Sequence, residues 1–243
     1  MKSFLVYGLS NDWGGLEAIV ITMIRNMASH NRFDIILSNE VSTYEKKYQS
    51  DHIRFLHIPS WGSDKNGFAN GLMCLLREND YDYVWVNGCL MSNKKIISVT
   101  KKYSKAKIIS HSHGSSFEEK NKIKRFILLV LHYMNRSYYK KNIDFPCMCS
   151  YKSGLWFYGE SFLKLKNVLW VKNGVDISLF QFDLQKRNDY RRALGIQEGT
   201  FAVFHVGRLT PVKNQQKLLS IFTDFISSNN VSTHLFIAGD GEL

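Results

Sequence analysis

Apolar and polar positions along the chain follow two rhythms. Short unbroken apolar runs read as buried strands: SFLVYGLS near the start, FDIIL at 33–37, IRFLHI at 53–58, YVWVNG at 83–88 and KIISHS at 107–112. Between them the spacing lengthens to three and four. Leu16, Ile19, Val20, Met23, Ile24 and Met27 mark one face of a helix. Further helices are predicted over about 66–79, over 92–104 with Ser92 as N-cap, and over about 119–141. VLWVKNG at 168–174 predicts another strand. The pattern then restarts with a strand at 201–206, a helix over about 213–228 and a strand at 233–238.

Strands that alternate with helices specify βα units wound into a parallel sheet. The restart places a domain boundary near residue 172. Residues 1–172 make one full domain, and 173–243 supply only two clear strands of a second.

Composition narrows the class. A hydrophobic share of 44 % is ample for a packed core and excludes a disordered chain. No apolar run reaches the roughly 18 residues of a membrane span. The N-terminal stretch MKSFLVYGLSNDW has too short an apolar run for a signal peptide. A net charge of +11 suggests an anionic partner, set against a merely solvated basic surface. Cys74, Cys89, Cys147 and Cys149 lack zinc-site spacing and are expected reduced and buried. Cys147 and Cys149 share a face if PCMCS is extended.

Four stretches could carry chemistry. In YGLSNDWGGLE a strand, a glycine loop and a helix start bring backbone N–H groups toward an anion, or make only a tight turn. The loop is not G-x-G-x-x-G, so Asp34 gives only faint support to dinucleotide binding. In ISHSHGSSF, His111 and His113 stand at a strand's C-terminal end, where open α/β sheets bind ligands. They are candidates to polarise a substrate or to share a metal, with no third metal ligand in view. The segment 120–141 holds seven Lys or Arg and no acid, around an apolar middle from Phe126 to Leu131. It reads either as a core helix with solvated ends or as a helix lying on an anionic bilayer, where each basic flank contributes about 1 kcal/mol. In HVGRLTPVKNQQKLL, Gly207 frees the backbone while Arg208 and Lys213 flank a helix start, a suitable clamp for a diphosphate.

GGLE, HSHG, NGVD…F, VGRLTPVKNQ and IAGDGEL occur in the order and spacing of family 4 glycosyltransferases, and the chain resembles that family over its whole length. The resemblance implies a retaining enzyme of GT-B fold: an α/β chain with one complete Rossmann-like domain and the first part of another. It implies an acceptor-side domain at 1–172 and a partial nucleotide-sugar domain at 173–243. His113 then matches the histidine near the reacting sugar. Arg208 and Lys213 match the pair that neutralises the leaving diphosphate, with Gly14 and Gly15 near the donor phosphates. Glu17 and His111 fall on the acceptor side, and Gly207, Gly239 and Gly241 in the donor loops. No cofactor or metal is expected. The implied partners are a nucleotide sugar, a lipid-linked glycan acceptor and, through about 120–141, an anionic membrane. The implied setting is bacterial surface polysaccharide synthesis at the inner face of the cell membrane, from the cytoplasm.

In such enzymes IAGDGEL is the second strand of the second domain and the turn after it, so the chain is expected to be C-terminally truncated and inactive by itself. Two other readings stand beside this one. The chain could be a non-catalytic glycan- or membrane-binding remnant. It could also be a basic nucleic-acid-binding protein, although it carries no helix-turn-helix, zinc or RNP-type pattern.

Overall fold

The computed structural model describes residues 1–117, 119–165 and 167–242. The chain divides into two compact units, Met1–Val175 and Asp176–Leu243.

The first unit runs β1 (Lys2–Tyr7), α1 (Gly15–Met27), β2 (Asn31–Leu37), α2 (Glu45–Tyr48), β3 (Ile53–His57), α3 (Lys65–Glu78) and β4 (Tyr83–Gly88). It continues α4 (Lys95–Tyr103), β5 (Lys107–Ser112), α5 (Lys122–Asn142), β6 (Phe145–Met148), α6 (Tyr151–Tyr158), α7 (Glu160–Leu165) and β7 (Leu169–Trp170). Seven strands form one parallel sheet in the order β3-β2-β1-β4-β5-β6-β7. The first strand of the chain is therefore central. The order reverses between β1 and β4, which opens a crevice at their C-terminal ends.

Side chains alternate across the pleat, so neighbouring residues feed separate cores. Leu5, Ile36, Val84 and Ile108 pack with Phe68 and Leu72 of α3 and Ile96 and Ile97 of α4 on one face. Val6, Phe33, Ile35 and Trp85 pack beneath Val20, Ile21 and Ile24 of α1 on the other. Asp34 sits among these apolar neighbours with no exposure. Its carboxylate is gripped by Arg54, its register partner on β3, through Nε at 2.8 Å and Nη2 at 2.6 Å. The Tyr81 hydroxyl adds a third bond at 2.7 Å. Asp34 is thus fully engaged by Arg54 and Tyr81, and the dinucleotide reading loses its acid.

The second unit contains α8 (Leu184–Ala193), β8 (Phe201–Val206), α9 (Gln215–Ser228) and β9 (Thr233–Ala238), with single 3-10 turns at Ile177–Phe180 and Pro211–Lys213. Strands β8 and β9 pair in parallel as a two-stranded sheet.

Several sequence expectations need correction. The residue before α4 is Lys94, and the bond that caps the helix runs from the Lys95 amide to the Asn93 side chain at 2.8 Å rather than to Ser92. The strand expected at 168–174 shrinks to two residues, because β6 offers it only Cys147 and Met148 as partners. All four cysteines are free, but Cys74 is exposed on α3 rather than buried. Helix α5 is not a core helix: Phe126, Ile127, Val130 and Leu131 are exposed.

Candidate active site

The crevice at the β1–β4 switch begins with a close crossing. Gly8 follows β1 with φ +104°, and any Cβ there would overlap the carbonyl oxygen of Asn87 at the end of β4. Only glycine meets both conditions. The loop from Gly8 to Gly14 is then held from two sides. The Asn11 amide nitrogen donates to the carbonyls of Ser38 (3.3 Å) and Glu40 (2.6 Å), and its oxygen accepts from the Ser38 amide (3.2 Å). The Glu17 carboxylate accepts from the Ser10 backbone N–H (2.9 Å) and hydroxyl (3.0 Å). Glu17 is thus buried and turned into the loop, bracing it.

Gly14 precedes α1 in an extended conformation and provides no side-chain cap. Around Gly15 there is open space where a Cβ would stand. No side chain caps the first amides of α1, which can therefore meet a ligand oxygen, although the Glu17 carboxylate lies close beside Gly14. Beside this loop a cavity of about 470 Å³ reaches over the ends of β2 and β3, with Asp12, Glu40, Ser60 and Trp61 in its wall.

His111 and His113 project to the same side of β5, their ring centroids 3.9 Å apart. His111 is buried and stacks on Trp85 at 6.1 Å. Burial lowers its pKa to about 4, against a smaller opposing pull from the Val171 backbone. His113 is lowered to about 3, by burial first and by His111 second. Both rings are neutral at physiological pH. The Asn87 amide nitrogen faces the carbonyls of Tyr7 and Trp85, so its oxygen turns to His113 Nε2 at 2.8 Å. That assignment puts the His113 proton on Nε2 and leaves Nδ1 as a buried acceptor with no partner among the described residues. A neutral ring cannot serve as a cation.

In the second unit the loop after β8 carries the basic pair. The Lys213 side-chain stem lies 3.9 Å from where a Cβ on Gly207 would stand, alongside the Gly207–Arg208 backbone. Asn214 adopts the left-handed conformation (φ 54°) and starts α9 without a side-chain cap. Buried Gln215 fixes the loop by donating to the Arg208 carbonyl at 2.9 Å. Opposite, the chain after β9 runs hard against it: a Cβ on Gly239 would overlap the Gly207 carbonyl, and the Leu209 amide donates to the Asp240 carbonyl at 2.9 Å. Gly241 pairs with Leu209 in an isolated bridge, while Leu243, the last residue of IAGDGEL, lies outside the described residues. Arg208 and Lys213 themselves are exposed.

The sequence-derived candidates thus form two groups, one in each unit. Gly14, Gly15, Glu17, His111 and His113 gather at the C-terminal edge of the large sheet. Gly207, Arg208, Lys213, Gly239 and Gly241 gather at that of the small one. Sequence reasoning missed Gly8, Asn11, Asn87 and Gln215. A glycine directly after a strand was the available signal for Gly8. The other three are ordinary amides whose roles depend on distant partners.

No family model matches the chain. It is 26 % identical over 235 residues to the Bacillus subtilis (strain 168) protein named "Putative glycosyltransferase EpsF", covering 95 % of this chain and 60 % of that protein. The chain thus spans about three-fifths of the curated relative's length. Among solved structures, Anabaena HepE in complex with UDP and glucose superposes with a TM-score of 0.71 at 17 % identity, over 100 % of this chain and 62 % of HepE. The lipopolysaccharide outer core galactosyltransferase WaaB gives 0.56 at 17 % identity, over 100 % and 62 %. The UDP-GlcNAc 2-epimerase of Methanocaldococcus jannaschii gives 0.54 at 15 % identity, over 97 % and 65 %. These likenesses establish the fold, α/β of the GT-B type. Transferases and an epimerase share it, so the fold alone does not choose a reaction.

Proposed function

We propose that the chain belongs to a glycosyltransferase that moves a sugar from a nucleotide sugar to a glycan acceptor with retention. The observation that carries this reading is the β8–α9 loop. Two exposed cations stand beside an uncapped helix N-terminus, on a backbone fixed by Gln215. Breaking a sugar–phosphate bond leaves charge on the departing nucleotide, and fixed positive groups stabilise that charge most in the transition state. Arg208 and Lys213 take the leaving diphosphate in this proposal, so the protein's own cations do the work a metal does elsewhere. Gly14 and Gly15 offer α1 amides to the donor. His113 stands beside the reacting sugar, and the first unit carries the acceptor side. The match to EpsF over 95 % of this chain and the UDP and glucose bound by HepE support this choice over epimerisation. The acceptor we infer is a lipid-linked glycan at the inner membrane face, used in bacterial surface polysaccharide synthesis.

The test is a transfer assay on the protein that carries this chain, with a panel of nucleotide sugars and lipid-linked acceptors. Arg208→Ala or Lys213→Ala should each lower kcat at least about tenfold, since a charged hydrogen bond is worth roughly 1.5–3 kcal/mol. Unchanged turnover in both variants would overturn the assignment.

A further inference from the structure

The cavity of about 470 Å³ at the β1–β4 switch has no lysine, arginine or histidine in its wall among the described residues. In a chain of net charge +11 that is a local exception. Three acids stand there instead, Asp12, Glu17 and Glu40. Much of the remaining polar wall is already engaged. Glu17 holds Ser10, the Ser38 hydroxyl donates to the Asn11 oxygen at 2.7 Å, and the Ser60 and Ser63 hydroxyls lie 2.9 Å apart. The Asp12 and Glu40 side chains are exposed, and their carboxylates take no hydrogen bond or cation among the described residues.

Both acids are nonetheless fixed through their backbones. The Asp12 carbonyl accepts from the Ser10 hydroxyl (2.8 Å) and the Glu40 carbonyl from the Asn11 amide nitrogen (2.6 Å). The two loops that carry them are tied together: the Thr43 amide donates to the Asn11 carbonyl at 2.9 Å and the Trp13 amide to the Thr43 hydroxyl at 3.0 Å. After β3, half-buried Trp61 is held edge-on against Phe68 with ring centroids 5.7 Å apart. Lys65 Nζ stands 5.8 Å from the Trp61 centroid but does not line the cavity.

This chemistry selects an occupant. An ionised carboxylate offers only acceptors, and sugar hydroxyls are donors. An indole adds an apolar face with a negative quadrupole, against which the C–H side of a sugar ring can lie. A phosphate or uronate would meet two like charges and no cation. We propose that Asp12 and Glu40 are specificity determinants for the acceptor: the cavity admits a hydroxyl-rich sugar ring without an acidic group and turns away an acidic sugar. The inference rests on the reading above that the first unit carries the acceptor side, and it adds the class of sugar that enters.

The experiment is an NMR titration of the isotope-labelled 243-residue chain with neutral methyl glycosides (glucoside, galactoside, mannoside and N-acetylglucosaminide) and with methyl glucuronide and methyl galacturonide. It reads binding with no donor present, so its failure and a failure of sugar transfer are separate results. A neutral glycoside should shift the amides of Asp12, Gly15 and Glu40 and the Trp61 indole N–H, and the uronides should bind at least about tenfold more weakly. High salt should narrow that gap. Asp12→Asn/Glu40→Gln keeps acceptor oxygens and removes both charges, so the uronides should then bind within about twofold of the neutral sugars. Both side chains are exposed, so an unchanged urea midpoint is expected and separates lost binding from lost folding. Equal binding of neutral and acidic sugars, discrimination that survives the double variant, or shifts confined to another part of the chain would each overturn the proposal. So would the absence of binding by every neutral glycoside at tens of millimolar.

Discussion

The two units use the same βα grammar and reach different degrees of closure. In the first, β1, β2 and β4 place Leu5, Val6, Phe33, Ile35 and Val84 fully out of water. In the second, β8 and β9 form their ladder over the same length of six residues each, yet Phe201, Phe204, Val206 and Ile237 stay exposed. Ile196 is its only buried hydrophobic residue among those described. The backbone pairing is equally regular, so the difference lies in layers. A seven-stranded sheet carries helices on both faces, whereas two strands have too little width to bury a face. Hydrogen-bonded elements are a local product; a core needs a stack of them.

The sharpest way to break this contrast is amide exchange. Protection at Leu5, Ile35, Val84 and Ile108 should exceed that at Val203 and Phe236 by on the order of 10³-fold, because opening free energies run from near zero to the global stability. Similar protection in the two sheets would remove the contrast. Cavity formation tests the same point with a smaller effect. Leu72→Ala, fully buried, should lower stability by about 2–5 kcal/mol, measured as a shift in the urea midpoint. Phe204→Ala, 55 % exposed and stacked on Phe236, should lower it by about 1 kcal/mol or less.

Acid supplies a third probe, confined to the first unit. His111 and His113 fall from 6.5 to about 4 and about 3, and burial lowers His132 as well. A depressed histidine pKa means that the unfolded chain binds protons the folded one refuses. Stability is then highest above about pH 6.5 and declines as pH falls from there toward about 4. His111→Gln/His113→Gln should flatten the pH dependence of the urea midpoint in that window. An unaltered slope would show that these rings are not what acid attacks.

The ends of β4, β5, β8 and β9 were legible to the residue. Each is a short apolar run closed by glycine, asparagine or charge, and such boundaries need no tertiary information. Helix α6 was not legible, because YKSGLWFY mixes glycine and aromatics without a helical period. It forms on a serine capping box and on the packing of Phe157 and Tyr158. For α5 the sequence shows an apolar middle from Phe126 to Leu131 but not which side of it faces water. Its polar seam of His132, Asn135 and Tyr139 bonds to residues some forty positions upstream, and only the fold brings those together. The same limit hid Asn87. The sequence marks His113 as a residue of interest, but its tautomer is set by an amide at the end of another strand.

The central place of β1 bears on how the chain comes off the ribosome. Residues 2–7 emerge before both of their partners and must wait for 31–37 on one side and 83–88 on the other before the sheet has a middle. Lys2 and Ser3 are then pinned by the Asp82 carboxylate, at 2.7 Å and 2.9 Å. Until residue 88 has been made, the apolar run from Phe4 to Tyr7 lacks a berth, and a nascent-chain chaperone would find it free to hold. Trimming those residues to tidy a terminus would remove the strand that joins the two halves of the sheet.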